Sequence, residues 1–368
     1  MKELNLLIVE DDKDALKSYK RDIDSYNLES TVKIKPIESS DKDEALELLK
    51  GRNIFDAAIV DLDLLGKGGE DSSGNEVIRE IKSNLRFPVF VITGTPQNVA
   101  EDLKEESALF KIKTRGEQEE EGYLEQFVKI YDTGITNILN SKGTIENYLN
   151  NIFWNHMSNS LDLWINDSSR DPEEKEKSLL RYTLLHMHEY LDQSSSGDLE
   201  KYHPAEFYIS KPVKPNIFTG DVILFKEDSS FYLVLSPACD IDLKNGVRKS
   251  KKILFLKVIM PEEIDDEFKN PDMSKTKKGD LKSYIRNSRP QFHFIPKIDS
   301  IPNGFIDFQN KVTINEKEVE ESLKNGDMER IATVSSPFLK DIISRYSNYY
   351  SRQGSPDFNE EELLNNLF

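Results

Sequence analysis

A single cysteine, Cys239, stands in 368 residues. It excludes an intramolecular disulfide framework and any zinc site built from several thiolates. Long apolar runs are missing too. No window approaches the roughly 18 residues a spanning helix needs, and the chain enters a strand pattern without a basic, cleavable leader. The expected compartment is therefore the cytoplasm, with no membrane contact. Net positive charge is also lacking: at −18, the chain has no broad basic field for DNA or anionic lipid, so no nucleic-acid partner is expected and a protein partner fits better. Only residues 201–290 carry more basic than acidic side chains, 17 against 13. P-loop, HExxH and helix-turn-helix patterns are absent, and no internal repeat is visible.

What is present is length for two domains and a change of texture along the chain. In the first 115 residues apolar runs alternate with helical periodicity. Strands are expected at 4–9, 31–37, 55–60, 88–92 and 108–112, with helices at 14–26, 43–50, 75–83 and 99–106. Five strands separated by helices imply an α/β, doubly wound parallel sheet of flavodoxin-like type. From Glu117 the pattern turns helical, with Tyr123, Phe127 and Ile130, then Ile145, Leu149 and Ile152, then Leu180, Leu184 and Tyr190 at helical spacing. Trp154 and Trp164, with Leu184 and Leu185, read as packing residues. From Lys201 short strands dominate, at 222–225, 231–235, 253–259, 291–295, 305–308 and 312–314, with a final helix at 338–351. The expected division is 1–130, a helical connector at 131–200, and a β-rich, barrel-like domain at 201–368.

Two early strands end in acids. Glu10-Asp11-Asp12 closes the first, and Asp61 closes the run before it. In an open parallel sheet the carboxyl ends of strands meet at one crevice, so these carboxylates can share a hard cation. Leu-Ile-Val-Glu-Asp-Asp at 7–12, Val-Asp-Leu-Asp at 60–63, Val-Ile-Thr-Gly at 91–94 and Leu-Phe-Lys at 109–111 together resemble the receiver domain of two-component response regulators, over about residues 1–130. The resemblance implies Asp61 as phosphoacceptor, with Mg²⁺ held by Glu10, Asp11, Asp61 and the carbonyl of Asp63. It implies Thr93 as a hydroxyl donor and Lys111 as the cation that pairs with the phosphoryl group; Lys113, on the same strand face, competes for that place. It also implies a histidine kinase or phosphotransfer protein as donor and an effector protein as target. A homodimer is compatible with it.

Chemistry supports each role. An ionised Asp61 is the nucleophile, a nearby cation neutralises the incoming oxygens, and transfer then depends on position and charge. The sequence departs from the family in a glycine-rich stretch at 65–73, before Gly74, and in the missing proline after the fifth-strand lysine. For the remaining two thirds the leading expectation is an output region acting by protein contacts. One alternative is a phosphoryl sink, of the sort found in some bacterial antiviral relays. Another is a phosphorylation-gated hydrolase or nuclease, with Cys239 paired to His293 or His203. The run Arg248 to Lys252 reads as a solvated hairpin rather than a phosphate patch.

Overall fold

Leu4, Leu6 and Ile8 alternate with Leu7 and Val9, and successive side chains of a strand face opposite sides of a sheet. Both faces of such a strand must be covered. A computed structural model of the chain, which describes residues 2–51, 54–64, 73–117, 120–140, 143–191, 201–352 and 357–367, shows how. The chain divides into two units, 1–199 and 200–368.

In the first unit, strands β1 (Lys2–Val9), β2 (Val32–Ser39), β3 (Ala57–Val60), β4 (Val89–Thr93) and β5 (Phe110–Thr114) form one parallel sheet in the order β2-β1-β3-β4-β5. Helices α1 (Lys13–Glu29) and α4 (Tyr123–Asp132) cover Leu4, Leu6 and Ile8 with Tyr19, Ile23, Leu124 and Phe127. Helices α2 (Lys42–Gly51) and α3 (Ser73–Asn84) cover Leu7 and Val9 with Leu49, Val77 and Ile78. Each fully buried aliphatic side chain contributes about 1.5–3 kcal/mol relative to exposure, so two apolar faces make the sheet the spine of the unit.

Two expectations need correction here. Residues 99–106 do not form an α-helix; only single 3₁₀ turns at Pro96–Asn98 and Glu101–Leu103 occur. Side-chain bonds tie this segment to α3 instead: Asn75 accepts from the Ala100 amide and donates to the Asn98 carbonyl, and Arg79 grips Asp102 with two bonds of 2.8 Å. Such bonds compete with the helical ladder. The fifth strand is also shifted two residues later than expected, which changes the side chain at its end.

After α4 come α5 (Ile135–Leu139), α6 (Thr144–Asn151), a π-helical turn at Ile152–Met157, α7 (Ser158–Ile165) and α8 (Pro172–Leu191). Trp164 packs on Tyr182 as expected, but Trp154, which meets the neighbouring Phe153 ring edge-on, Leu184 and Leu185 remain 68%, 56% and 62% exposed.

The second unit is a curled antiparallel half-barrel. Its strands β6 (Tyr208–Ser210), β7 (Asp221–Phe225), β8 (Ser230–Val234), β9 (Lys252–Ile259), β10 (Phe292–Ile295), β11 (Gly304–Asn315) and β12 (Met328–Val334) lie in the order β10-β11-β9-β8-β7-β12-β6. The two strands expected at 305–308 and 312–314 are one strand, β11, whose register against β9 breaks between Ile306 and Lys311. Short helices α9 (Ala238–Ile241) and α10 (Pro261–Ile264), then α11 (Lys275–Ile285), fill the connections. Helix α12 (Glu316–Asn325) closes one core through Val319, α13 (Ser336–Ser351) closes the other through Ile342, and α14 (Glu360–Leu367) follows. Arg248 is no part of a solvated patch: it is 3% exposed and donates to Glu316, Glu320 and the Ile241 carbonyl. Of the glycine-rich stretch, 65–72 lie outside the described residues.

Candidate functional site

Strands β1 and β3 are neighbours paired in register, Val9 opposite Val60, so the residues that follow them emerge side by side. Carboxylate oxygens of Glu10, Asp11 and Asp61 lie within 4.8 Å of one another. Asp12 caps α1, its side chain accepting from the Asp14 amide at 2.8 Å, and its other oxygen lies 3.8 Å from Arg115 Nη1. Glu10 is fully buried and Asp61 is 6% exposed. Asp61 Oδ1 accepts from the Leu62 amide at 2.8 Å. Helix α3 presses against the same strand end at Gly74, where an added Cβ would lie 2.1 Å from the Asp61 carbonyl oxygen. Glycine is thus required there by space.

The cation at this acidic cluster is Arg115. Its Nη2 donates to Glu10 Oε2 at 2.6 Å and to Asp61 Oδ2 at 2.9 Å. Lys111, the expected partner, lies elsewhere: its Nζ donates to Gln126 Oε1 at 2.7 Å and sits over the Phe90 ring. Lys113 reaches the same glutamine and the same ring. The strand shift explains this. Thr93 pairs with Thr114, and the Arg115 amide bonds the Thr93 carbonyl, so the side chain leaving the sheet at the crevice is residue 115. Residues 111, 113 and 115 share one face of a strand, which was the available signal in the sequence.

Electrostatics mark the cluster as short of positive charge. Burial, then the charge of Asp61, pushes the Glu10 carboxyl up to about 7, against the pull of Arg115. Burial also raises Asp11, with Asp63 and Asp61 adding to the shift. Burial works against the charge on Arg115, but Glu10 and Asp61 more than offset it. Of the buried polar atoms without a hydrogen-bond partner among the described residues, two belong to this cluster, Arg115 Nε and Tyr19 Oη. Tyr19 was not legible as a site residue, since its helical spacing marks it only as core. Thr93 is 1% exposed, and its hydroxyl accepts from the Thr95 amide. Asp63 lies close enough to Asp11 to raise it, but its carboxylate is not among the three that converge.

An all-oxygen set of three carboxylates matches what a hard divalent cation takes, and among the described residues one guanidinium bonds it, leaving these groups net negative. These residues fit such an ion.

In the second unit, the thiol and imidazoles that the hydrolase alternative would pair are each bonded to other groups. Cys239 is exposed and its Sγ lies 3.6 Å from Asp240 Oδ1. His203 accepts from the Ala205 amide as a helix cap. His293 is buried with both ring nitrogens engaged, Nε2 with Asp341 at 3.1 Å and Nδ1 with the Phe294 carbonyl at 2.8 Å. Its arrangement joins β10 to α13.

No protein-family model matches the chain, and no curated protein matches it. Solved structures that are similar to it are response-regulator receiver domains, aligned with about the first 37% of the chain, and the C-terminal part is unmatched. They include the phosphorylated cyanobacterial phytochrome response regulator RcpA, at 25% identity over 37% of this chain and 94% of that one, TM-score 0.23. The REC domain of the PhyR response regulator of Erythrobacter litoralis shows 20% identity over 38% and 94%, TM-score 0.26. The Mn²⁺-bound form of response regulator Rcp1 shows 21% identity over 36% and 91%, TM-score 0.22. At such scores they add nothing to the site geometry, which stands by itself. The first unit has a receiver-like fold; among the described residues no helix is long and apolar enough to cross a membrane.

Proposed function

We propose that the first unit accepts a phosphoryl group on Asp61 and that the protein signals through the remainder of the chain. The observation that carries this reading is the convergence of three carboxylates at the carboxyl edge of a parallel sheet, two of them, Glu10 and Asp61, bonded to one guanidinium. An Asp61 oxygen attacks the phosphorus of a phosphorylated donor; the new O–P bond forms as the bond to the donor's leaving group breaks, and the leaving group takes the electron pair. Glu10, Asp11 and Asp61 would hold a divalent cation, Mg²⁺ in our reading, with the carbonyl of Asp63 as a further oxygen. When bound, that ion supplies positive charge to the phosphoryl oxygens.

Arg115 is the residue that pairs with the transferred group, in the place expected for Lys111. It already touches Asp61 Oδ2, and its buried Nε–H is an unused donor. A guanidinium presents several N–H groups in a plane that matches phosphoryl oxygens, which a lysine point charge does not. Thr93, buried at the end of β4, offers its hydroxyl to another oxygen. The donor is a histidine kinase or phosphotransfer protein. The second unit has two cores of its own, which favours an output role toward an effector protein over a bare phosphoryl sink.

Incubation of the full chain with Mg²⁺ and acetyl phosphate tests the reading. A mass gain of one phosphoryl group is expected in wild type and in Lys111→Ala, none in Asp61→Asn, and a reduction of roughly tenfold or more in Arg115→Ala, as for loss of a charge-assisted contact. A gain that persists in Asp61→Asn, or no gain in wild type, would sink it.

A further inference from the structure

Helix α8 turns several leucines outward among its charged residues. Its inner seam, against α6, the π turn and α7, is polar and aromatic: Tyr182 packs on Trp164, His186 on His156, and Tyr190 on Tyr148. Tyr190 Oη is shared by Asn151 Nδ2 at 2.9 Å and His156 Nε2 at 2.7 Å. Residues 182, 186 and 190 advance by four and so share one face. Leu180, Leu184 and Leu191 lie roughly 140° around the helix from that seam, at 100° per residue, and are 59%, 56% and 62% exposed.

The partner helix repeats the pattern. Trp154, Leu161 and Ile165, spaced by seven and four, are 68%, 42% and 64% exposed. No formal charge occurs from Asn147 through Leu161. The π turn at Ile152–Met157 sits within this uncharged stretch. Helix α8 exposes charge as well, at Glu173, Glu174, Glu176, Lys177, Arg181 and Glu189, but leucine recurs among these positions where a solvated surface ordinarily hides it.

We infer that this two-helix face is covered by the same face of a second copy of the chain. The spacing of seven and four on both helices is that of side chains that interdigitate with other helices, and two such pairs related by a two-fold axis make a four-helix arrangement. The six side chains expose roughly 700 Å² per chain, near the roughly 800 Å² each partner contributes to a standard stable interface. Charge selects the occupant. On a chain of net charge −18, most surfaces repel a second copy, but the uncharged stretch of this face brings no like charges together.

Sedimentation of the full chain across a dilution series tests the inference without any phosphoryl donor, so its failure is separate from that of the Asp61 reading. Wild type is expected to sediment with the mass of two chains, and Leu180→Glu/Leu184→Glu with the mass of one, its dissociation constant raised at least roughly a hundredfold. Circular dichroism reports whether the variant keeps its helices. If it does not, Trp164→Phe retains one tryptophan, Trp154, whose emission is expected to shift to the red on dilution as the interface opens. A monomeric wild type, a charged variant that folds and remains a dimer, or Trp154 emission that ignores dilution across the sedimentation transition would each overturn the inference.

Discussion

Each unit buries carboxylates beside an arginine, and the two arrangements differ in balance. In the second unit Asp221, fully buried, accepts from Arg330 Nε at 2.9 Å, from the Thr333 hydroxyl and from the Phe218 amide, while Arg330 Nη1 also donates to the Lys214 and Pro215 carbonyls. One acid faces one base and both acid oxygens are engaged, although Arg330 Nη2, like Arg115 Nε, is buried without a partner; the two sites differ in charge balance, not in unsatisfied atoms. In the first unit Arg115 bonds Glu10 and Asp61, with Asp12 at 3.8 Å and Asp11 in the same cluster, so several acids share one described base, and Arg115 Nε and Tyr19 Oη have no hydrogen-bond partner. Buried charge that is paired and bonded holds a fold together; buried charge left in excess awaits something.

The largest expected effect separates the two most directly. Arg330→Ala leaves Asp221 buried without its cation and should destabilise the second unit by about 3–5 kcal/mol. Addition of Mg²⁺ should restore none of it. Hydrogen exchange followed on peptides of each unit measures this; protection in the second unit that survives the substitution would show the pair to be dispensable.

Arg115→Ala should cost the first unit less, about 1–3 kcal/mol, because Glu10 relieves the repulsion by taking up a proton. Here a divalent cation should replace the missing charge and recover most of the loss. Recovery by Mg²⁺ in Arg115→Ala alone, with none in Arg330→Ala, is the outcome that distinguishes an ion-accepting cluster from a structural one. Equal indifference to Mg²⁺ in both would erase the distinction.

The parallel sheet was legible because β1, β3 and β4 are continuous apolar runs, as doubly covered strands must be, and the acids that close two of them pointed to the crevice. Arg115 was not, because a strand shifted by two residues keeps the same alternation and so changes the residue at its end without changing the pattern. The missing helix at 99–106 has strong helix formers; Asn75 and Arg79, some twenty residues away in sequence, decide against it. Leu180 and Leu184 illustrate a different limit. Periodicity shows that a stripe is apolar, whereas burial depends on what lies over it. In the half-barrel, β11 read as two strands because the irregular pairing between Ile306 and Lys311 interrupts its alternation.

The smallest effect is a contrast in pH dependence, in metal-free protein. Glu10 is raised from 4.5 to about 7, first by burial and then by Asp61, so the folded first unit holds this proton more tightly than the unfolded chain. As pH rises from below 4.5 through 7, that unit loses stability, by on the order of 2 kcal/mol. The second unit has the opposite sign. Burial lowers His293 from 6.5; Asp341, although burial opposes it, is lowered from 3.8 by its bonds to Arg345 and His293. Its folded state binds these protons less tightly, so stability is lost as pH falls through 6.5 and then through 3.8. Exchange rates corrected for intrinsic pH dependence should therefore show the first unit tightening and the second loosening between pH 8 and pH 5. Glu10→Gln should flatten the first trend and leave the second. Parallel trends in the two units would mean that the excess of acid around Asp61 does not control the stability of its own fold.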